Sequence, residues 1–356
     1  MYESIAKVTD QNVKSSSLVR YKELDTLRGL AALYVMFFHF SRIAGLDINF
    51  LNIGVTGVDL FFIISGYVIF MSLEKTRKPG DFIISRLSRL LPSYLVMMTI
   101  TTCIIFFFSR SQAPSFVTVL FNTTMLQPWF LVPYIDDSYW TLTIELLFYI
   151  GMLYLFTIKR LGNIISIGSI TLGIIFLYYL VTSYYLPESK FYILPRYILP
   201  ITSHLQLFFA GILFYQMKSQ KHSWRTYLLL AGCYLLALFF FDKSGRAHFL
   251  ISFTDYAIAV FIYFIIFYLF VYNKLSFLNV PLLVFFGSIS YGIYLLHQKF
   301  AIVLYPYLVN EHNISPVVSM LILLTLVIGI SGIVTFKIER PVIKYIRNKY
   351  IRLSNT

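Results

Sequence analysis

Long apolar stretches alternate with short polar segments along nearly the whole chain. A helix needs about 20 mostly apolar residues to cross a bilayer, and ten stretches come close to that length. They are residues 25–44, 54–73, 91–109, 139–158, 163–184, 199–217, 226–241, 253–272, 282–306 and 316–337. The pattern predicts an all-α, polytopic membrane protein with about ten transmembrane helices.

The positions of the lysine and arginine residues predict how these helices are oriented, because cytoplasmic loops of membrane proteins carry an excess of both. With the amino terminus placed inside, 21 of the 29 lysines and arginines fall in inside segments and seven in outside segments, while Arg28 alone lies within a span. An even number of spans then places both termini in the cytoplasm.

Composition agrees with a membrane protein, since 58% of the residues are hydrophobic and 13% are charged, too few polar residues to cover a soluble protein of this length. The net charge of +13 follows from the cytoplasmic bias and favours contact with anionic lipids rather than nucleic acid. Cys103 and Cys233 fall in predicted spans without metal-ligand spacing, so we expect neither a disulfide framework nor a metal site.

Three regions follow from this reading of the chain. Residues 1–23 are a polar cytoplasmic tail without the apolar segment of a signal peptide, residues 24–340 form the transmembrane domain, and residues 341–356 form a basic cytoplasmic tail. Within the domain, residues 79–92 are expected to be a basic amphipathic segment at the inner face. Residues 110–138 are expected to be a long external loop.

Ionisable side chains inside the spans point to function, because a charge near the bilayer centre costs roughly 2.5–3.5 kcal/mol and usually faces a cavity. Arg28 and His39 are separated by about three full helical turns, so they share one face about 16 Å apart along the axis. Glu145 and Tyr149 are also neighbours on one helix face. One cavity can therefore contain both Arg28 and His39.

Counting residues from the ends of each span sorts the polar side chains into two groups. The outer half contains His39, Asp59, Glu145 and His297. The inner face contains Arg28, Arg86, Arg89, Glu339 and Arg340. The sequence thus predicts an acid–base cluster and a cationic cluster about 15 to 20 Å apart.

Purely structural roles also fit the residues of both clusters. A histidine in a membrane helix can hydrogen-bond a neighbouring helix, which applies to His39 and His297. Arg86 and its neighbour Arg89 are also suited to anchoring an interfacial helix. Asp59 lies near enough to the outer surface to be solvated, and Glu145 is a candidate partner for an arginine.

Five motifs in chain order resemble those of the integral-membrane acyltransferase family 3. They are LDTLRGLAALYVMFFH with Arg28 and His39, GVDLFFIISGYVI with Asp59 and Ser65, RLSRLLP with Arg86 and Arg89, SYWTLTIELLFY with Trp140, Glu145 and Tyr149, and SYGIYLLH with Ser290, Tyr294 and His297. The resemblance covers almost the whole chain, and five ordered matches are far more specific than any one of them. Ser85 and Thr141 depart from the family pattern, in which arginine and serine are frequent there.

The resemblance implies an O-acetyltransferase of a bacterial cytoplasmic membrane, with residues 24–340 as its acyltransferase domain. Enzymes of this type transfer acetyl groups from cytoplasmic acetyl-coenzyme A to hydroxyls of extracytoplasmic glycans such as lipopolysaccharide and other polysaccharides. Its expected partners are therefore the acyl-coenzyme A donor, a glycan or lipid-linked saccharide acceptor and membrane lipids, without nucleic acid or a metal cofactor.

Residue roles follow from the same resemblance. Arg28, Arg86 and Arg89 are expected to bind the donor phosphates, because a planar guanidinium binds phosphate bidentately. His39 is expected to be the general base, oriented by Glu145 or Asp59. The expected substrate-binding residues are Ser65, Trp140, Tyr149, Ser290, Tyr294 and His297.

Two other functions fit the same polar spans. A transporter of a sugar or lipid-linked glycan would use them as a translocation path with a proton relay, and it would move its substrate without consuming a thioester. A membrane enzyme that joins sugars would use a lipid-linked sugar and ignore coenzyme A. The sequence leaves open the acceptor, the acyl group, an acyl-enzyme step and the oligomeric state.

Overall fold

The computed structural model describes residues 20–186, 189, 197–219, 223–244 and 247–354. All regular secondary structure within these ranges is helical. Some predictions fall outside the described residues, namely those for the tail 1–19, for the last two residues of the chain, and for the charges of Lys190, Arg196, Lys221 and Arg246.

Eleven helices of 15 residues or more occur in the described ranges. They are α1 (Lys22–Ile43), α2 (Gly57–Glu74), α3 (Pro79–Phe108), α4 (Trp140–Thr157), α5 (Ile164–Tyr185), α6 (Leu205–Ser219), α7 (Trp224–Phe239), α8 (Phe253–Val271), α9 (Pro281–Pro306), α10 (Pro316–Ile333) and α11 (Arg340–Ser354). Each of the ten predicted apolar stretches overlaps one of α1 to α10. The all-α prediction is confirmed for the described residues.

Six helical stretches of the described chain are long and apolar enough to cross a membrane. They are Asn49–Glu74, Pro79–Phe108, Asp137–Thr157, Leu161–Tyr185, Phe253–Val271 and Pro316–Leu353. The chain is therefore a multi-pass membrane protein. The count of ten spans and the cytoplasmic position of both termini stay predictions.

Helices α1 and α9 make the most extensive helix–helix contact of the described residues. Gly29 and Gly287 lie where they cross, and a Cβ atom on either would overlap backbone atoms of the other helix, including the carbonyl oxygen of Asp25. Helices α2 and α6 approach each other in the same way through Gly66 and Gly211. Small residues allow this because van der Waals contact drives helix packing in membranes.

Helix α3 differs from the prediction of a separate amphipathic segment over residues 79–92. The segment and the following span form one helix with Pro92 in its interior. Proline lacks an N–H group and usually kinks or ends a helix, which is why the sequence indicated a boundary there. Helices α9 and α11 pack against α3, and this tertiary contact supports the continuous helix.

Residues 110–138, predicted to form an external loop, are folded around the buried side chain of Asn122. The Asn122 amide nitrogen donates hydrogen bonds to the carbonyl oxygens of Thr118 at 2.8 Å and Pro133 at 2.9 Å. Its Oδ1 atom accepts the backbone N–H of Ile135 at 3.1 Å. These bonds fix the path by which the chain enters α4.

Candidate active site

A cavity of about 350 Å³ lies between the start of α1, the start of α3 and helix α11. Six arginines line this cavity, which we call the arginine pocket: Arg20, Arg28, Arg86, Arg89, Arg340 and Arg347. Among its lining residues only Asp25 and Glu339 carry carboxylates. The excess positive charge suits a ligand with several negative charges, such as a phosphorylated molecule.

Both carboxylates in the arginine pocket are already engaged. Asp25 Oδ2 lies 2.5 Å from Nε of Arg20, an exposed residue at the pocket mouth. Glu339 Oε2 accepts a hydrogen bond from the Ser93 hydroxyl at 2.6 Å. Both carboxylates also interact electrostatically with pocket arginines, Asp25 with Arg28 and Glu339 with Arg89 and Arg340, but six guanidinium groups exceed two carboxylates.

Arg86 is the most enclosed arginine of the pocket, with 6% of its surface exposed. Its Nη2 atom donates to the Ser72 hydroxyl at 2.6 Å, and its guanidinium lies 5.5 Å from the ring centre of Phe82. Its buried Nε–H has no hydrogen-bond partner among the described residues. Buried donors are normally satisfied, so a ligand or water is expected there.

Glu145 joins Ser65 and Tyr149, two other predicted site residues. Its Oε1 atom accepts hydrogen bonds from the Tyr149 hydroxyl at 2.5 Å and the Ser65 hydroxyl at 3.1 Å. The carboxylate also interacts electrostatically with the guanidinium groups of Arg28 and Arg86. Glu145 is thus associated with the arginine pocket rather than with a separate outer cluster.

The depth count that placed Glu145 near the outer face assumed that α4 begins at the surface. The residues just before α4, Asp136, Ser138 and Tyr139, are instead buried in the protein. The start of α4 is therefore not at the protein surface, and the depth of Glu145 in the bilayer stays a prediction.

His39 of α1 and His297 of α9 form a histidine pair, with ring centres 5.0 Å apart. His297 is fully buried, and its Nδ1 atom lies 2.8 Å from the carbonyl oxygen of Tyr294. A carbonyl oxygen only accepts hydrogen bonds, so Nδ1 carries the proton and Nε2 of the neutral ring is an acceptor. That Nε2 atom has no hydrogen-bond partner among the described residues.

Among the described residues, no hydrogen bond or ion pair joins His39 to Glu145 or Asp59, the two carboxylates predicted to orient it. Glu145 is hydrogen-bonded to Tyr149 and Ser65. Asp59 is buried and interacts electrostatically with the hydroxyl groups of Tyr256 and Tyr263 on α8. The aromatic ring that His39 meets on the facing helix is His297.

The arginine pocket and the histidine pair are at different levels of the α1–α9 contact. The residues that line the pocket include Arg28 but not His39, and eleven residues of helix separate the two by about 16 Å along the axis. The structure therefore brings the predicted cationic residues together in one cavity and the two histidines together in another place.

Ser290 and Tyr294, predicted to bind substrate, both have partners within the protein. The Ser290 hydroxyl donates to the carbonyl oxygen of Gly287 at 2.9 Å. The Tyr294 hydroxyl donates to the carbonyl oxygen of Ser138 at 3.1 Å and accepts from the Thr141 hydroxyl at 2.9 Å. Tyr294 thus ties α9 to the start of α4.

Asp136 is a buried carboxylate that the motif analysis did not select. Its Oδ1 and Oδ2 atoms accept the backbone N–H groups of Ser138 and Lys299, each at 2.8 Å. Burial raises the pKa of Asp136 to about 6, although these two hydrogen bonds act in the opposite direction. The residue joins the external loop to α9 two positions beyond His297.

Trp140, also predicted to bind substrate, packs beside another histidine that sequence reasoning missed. The indole lies 5.4 Å from the ring centre of His204 and 6.3 Å from that of Phe62. His204 is buried and belongs to none of the five motifs, so the sequence carried no signal for it. Among the described residues, no group of three or more His, Cys, Asp or Glu side chains could hold a metal ion.

Comparison with known proteins gives one family and several relatives. A family model of the acyltransferase 3 type, described as an acyltransferase domain, matches residues 21–336. The "Putative acetyltransferase ORF330" of Acidianus two-tailed virus is 26% identical over 279 residues, which is 76% of this chain and 80% of the viral protein. No solved structure matches the chain significantly.

Two bacterial relatives match over shorter segments. The "Putative peptidoglycan O-acetyltransferase YrhL" of Bacillus subtilis is 31% identical over 173 residues, 40% of this chain and 26% of that protein. The "Putative membrane-bound transacylase BcsY" of Komagataeibacter xylinus is 36% identical over 85 residues, 23% of this chain and 20% of that protein. The aligned parts thus span about a quarter or less of these two relatives.

Proposed function

The chain belongs to the acyltransferase 3 family and is an acyltransferase of the membrane, and we propose that it transfers an acetyl group from acetyl-coenzyme A to a glycan hydroxyl. The donor enters the arginine pocket from the cytoplasm, and the acceptor is on the other side of a bacterial cytoplasmic membrane. Both termini are cytoplasmic in this proposal.

The arginine pocket is the observation that carries the proposal. Coenzyme A holds its phosphates at one end and its thioester at the other, joined by a long flexible arm. Arg86, Arg28 and Arg89 supply planar guanidinium groups that match phosphate geometry. Arg28 also lies on the same face of α1 as His39. The flexible arm of a coenzyme A molecule bound at Arg28 can therefore extend along this face toward the histidine pair.

The reacting hydroxyl needs a base, and His39 takes that role. The hydroxyl oxygen bonds to the thioester carbonyl carbon while its proton passes to His39, and the carbon–sulfur bond breaks to release the coenzyme A thiolate. The thiolate then takes up a proton, so that the products are an acetyl ester and a free thiol. His297 lies against His39 with its tautomer fixed by the Tyr294 carbonyl, and it positions the base.

The acceptor class is inferred from the activities for which the relatives are named. One of them is described as a peptidoglycan O-acetyltransferase, and several from Staphylococcus aureus as O-acetyltransferases. A polysaccharide hydroxyl outside the cytoplasm is therefore the proposed acceptor. Ser65, Trp140, Tyr149, Ser290 and Tyr294 stay candidates for substrate contact, with Asp59 and Glu145 as candidate catalytic carboxylates.

The proposal is tested with purified protein in proteoliposomes, with acetyl-coenzyme A on one side and soluble peptidoglycan fragments on the other. We expect a free thiol to appear on the donor side together with fragments heavier by one acetyl group. Movement of fragments across the bilayer without thiol release would instead identify a transporter. Thiol release that needs no fragment, with acetylated protein recovered, would identify a two-step route through an acyl-enzyme.

A further inference from the structure

The carboxyl-terminal helix α11 lines the arginine pocket although it lies beyond the family match, which ends at residue 336. Arg340, Ile343 and Arg347 of this helix contribute to the cavity wall. The spacing of these residues, three and four apart, places them on one helix face. The tail that the sequence indicated only as basic therefore has a face turned toward the phosphate-binding space.

Several contacts hold α11 at this position. Arg347 Nη2 lies 3.5 Å from the Ser85 hydroxyl on α3, and the Tyr350 side chain lies over Gly80, where a Cβ atom would meet its hydroxyl. The Arg340 guanidinium lies 4.3 Å from the ring centre of Phe336. The helix is thus packed against α3 and forms part of the pocket wall.

The pocket arginines are graded by depth. Arg86 is almost fully buried and Arg28 and Arg89 are partly exposed, whereas Arg340 and Arg347 are exposed. A coenzyme A molecule that enters with its thioester first brings its pyrophosphate to the deeper arginines. Its ribose, which carries the 3′-phosphate, then remains at the mouth beside α11.

We infer that Arg347, assisted by Arg340, binds the ribose 3′-phosphate of the donor and so selects coenzyme A over carriers that lack this phosphate. This inference rests on the proposed function. Arg20, the other exposed arginine, is paired with Asp25, whereas the side-chain hydrogen bond of Arg347 within the described part of the chain is the long one to Ser85 that is noted above. A guanidinium that meets a phosphate gains a charge-assisted, bidentate contact.

The test compares acetyl-coenzyme A with acetyl-3′-dephospho-coenzyme A in the thiol-release assay. We expect the parent protein to prefer acetyl-coenzyme A by roughly tenfold or more in kcat/KM, the factor that corresponds to one charged hydrogen bond. In Arg347→Ala the KM for acetyl-coenzyme A rises toward that for the dephospho donor, which itself is unchanged. Arg352→Ala, an exposed position on the same helix outside the pocket wall, keeps the preference.

A binding measurement separates this inference from the proposed function. Adenosine 3′,5′-bisphosphate should raise the unfolding temperature of the parent protein more than adenosine 5′-diphosphate does, and this difference should vanish in Arg347→Ala. Equal effects of Arg347→Ala on both donors, or no preference in the parent protein, would overturn the role of Arg347. Absence of thiol release from either donor, with the nucleotide preference intact, would overturn only the proposed transfer reaction.

Discussion

The arginine pocket and the histidine pair are built on the same two helices, yet they are opposite in character. The pocket is open, rich in charge and shared between α1, α3 and α11. In the histidine pair, the fully buried His297 ring is held by a backbone carbonyl, and the partly exposed His39 ring packs against it. In the proposed reaction this contrast corresponds to a division of labour, in which the arginines bind the anionic donor and the histidines handle the proton.

The largest expected effect is that of His39→Ala on turnover. Removing the base should lower kcat about 100- to 10,000-fold while the donor KM changes little, because the arginine pocket is untouched. The thiol-release assay measures both constants, with His312→Ala on an exposed loop as the control. A rise in donor KM with normal kcat would show that the two regions are not divided in this way.

Arg86→Ala is expected to have the complementary effect. Loss of a buried guanidinium should raise the KM for acetyl-coenzyme A about 10- to 100-fold, the equivalent of one or two charged hydrogen bonds, with kcat largely kept at saturation. Arg110→Ala, an exposed position on the external loop, is the control. Arg86→Lys should recover only part of the affinity because lysine lacks the planar fork.

A double-mutant cycle sharpens the histidine side of the comparison. His297→Ala alone should lower kcat about tenfold, because His39 loses its neighbour. In a His39→Ala background the same change should have almost no further effect, since residues that act as one unit are strongly non-additive. Additive losses would mean that His297 acts on the substrate independently of His39.

Gly287→Ala tests the close contact between α1 and α9, the two helices on which both regions are built. The added methyl group overlaps the α1 backbone, and overpacking of this kind typically destabilises a protein by about 1–3 kcal/mol. Gly329→Ala, where the space is open, should be neutral or slightly stabilising. Detergent-solubilised unfolding curves measure both, and normal stability of Gly287→Ala would contradict the close α1–α9 contact.

The smallest expected effect concerns the pH dependence of stability through Asp136. Because its pKa is raised to about 6 in the folded protein, above the value of about 3.9 expected in the unfolded chain, the native state binds the proton more tightly. The stability that this proton binding contributes is present below about pH 4 and is lost as the pH rises through 6. The unfolding temperature of the parent protein, measured relative to that of Asp136→Asn, should therefore fall from pH 4 to 6 and stay level from pH 6.5 to 8.

The helices were largely predictable because apolar length and periodicity are local properties of the sequence. Arg28, Arg86 and Arg89 were placed in one cluster from charge position alone, and they line one cavity. The participation of Arg347 was not predictable, because no local pattern says that the tail helix packs against Ser85 and Gly80 of α3.

Counting residues along a single helix assumes that the helix begins at the surface and does not show which other helices it contacts. The start of α4 is buried, because Asp136, Ser138 and Tyr139 are enclosed by the protein. Glu145 interacts with Arg28 and Arg86 of other helices, a contact that no count along α4 predicts. The association of His39 with His297 likewise depends on how two distant helices align, which the Gly29 and Gly287 contact determines.

The glycine contact between α1 and α9 also limits how the protein can move during a catalytic cycle. Two helices whose backbones are in direct contact cannot slide or rotate past each other without a steric clash, so we expect them to move together as a rigid unit. In the proposed reaction, a passage for the donor arm therefore has to open by movement of the surrounding helices relative to α1 and α9. Spin labels on α1 and α9 should therefore keep a constant separation when the donor binds, while the distance from α1 to a label on α11 changes.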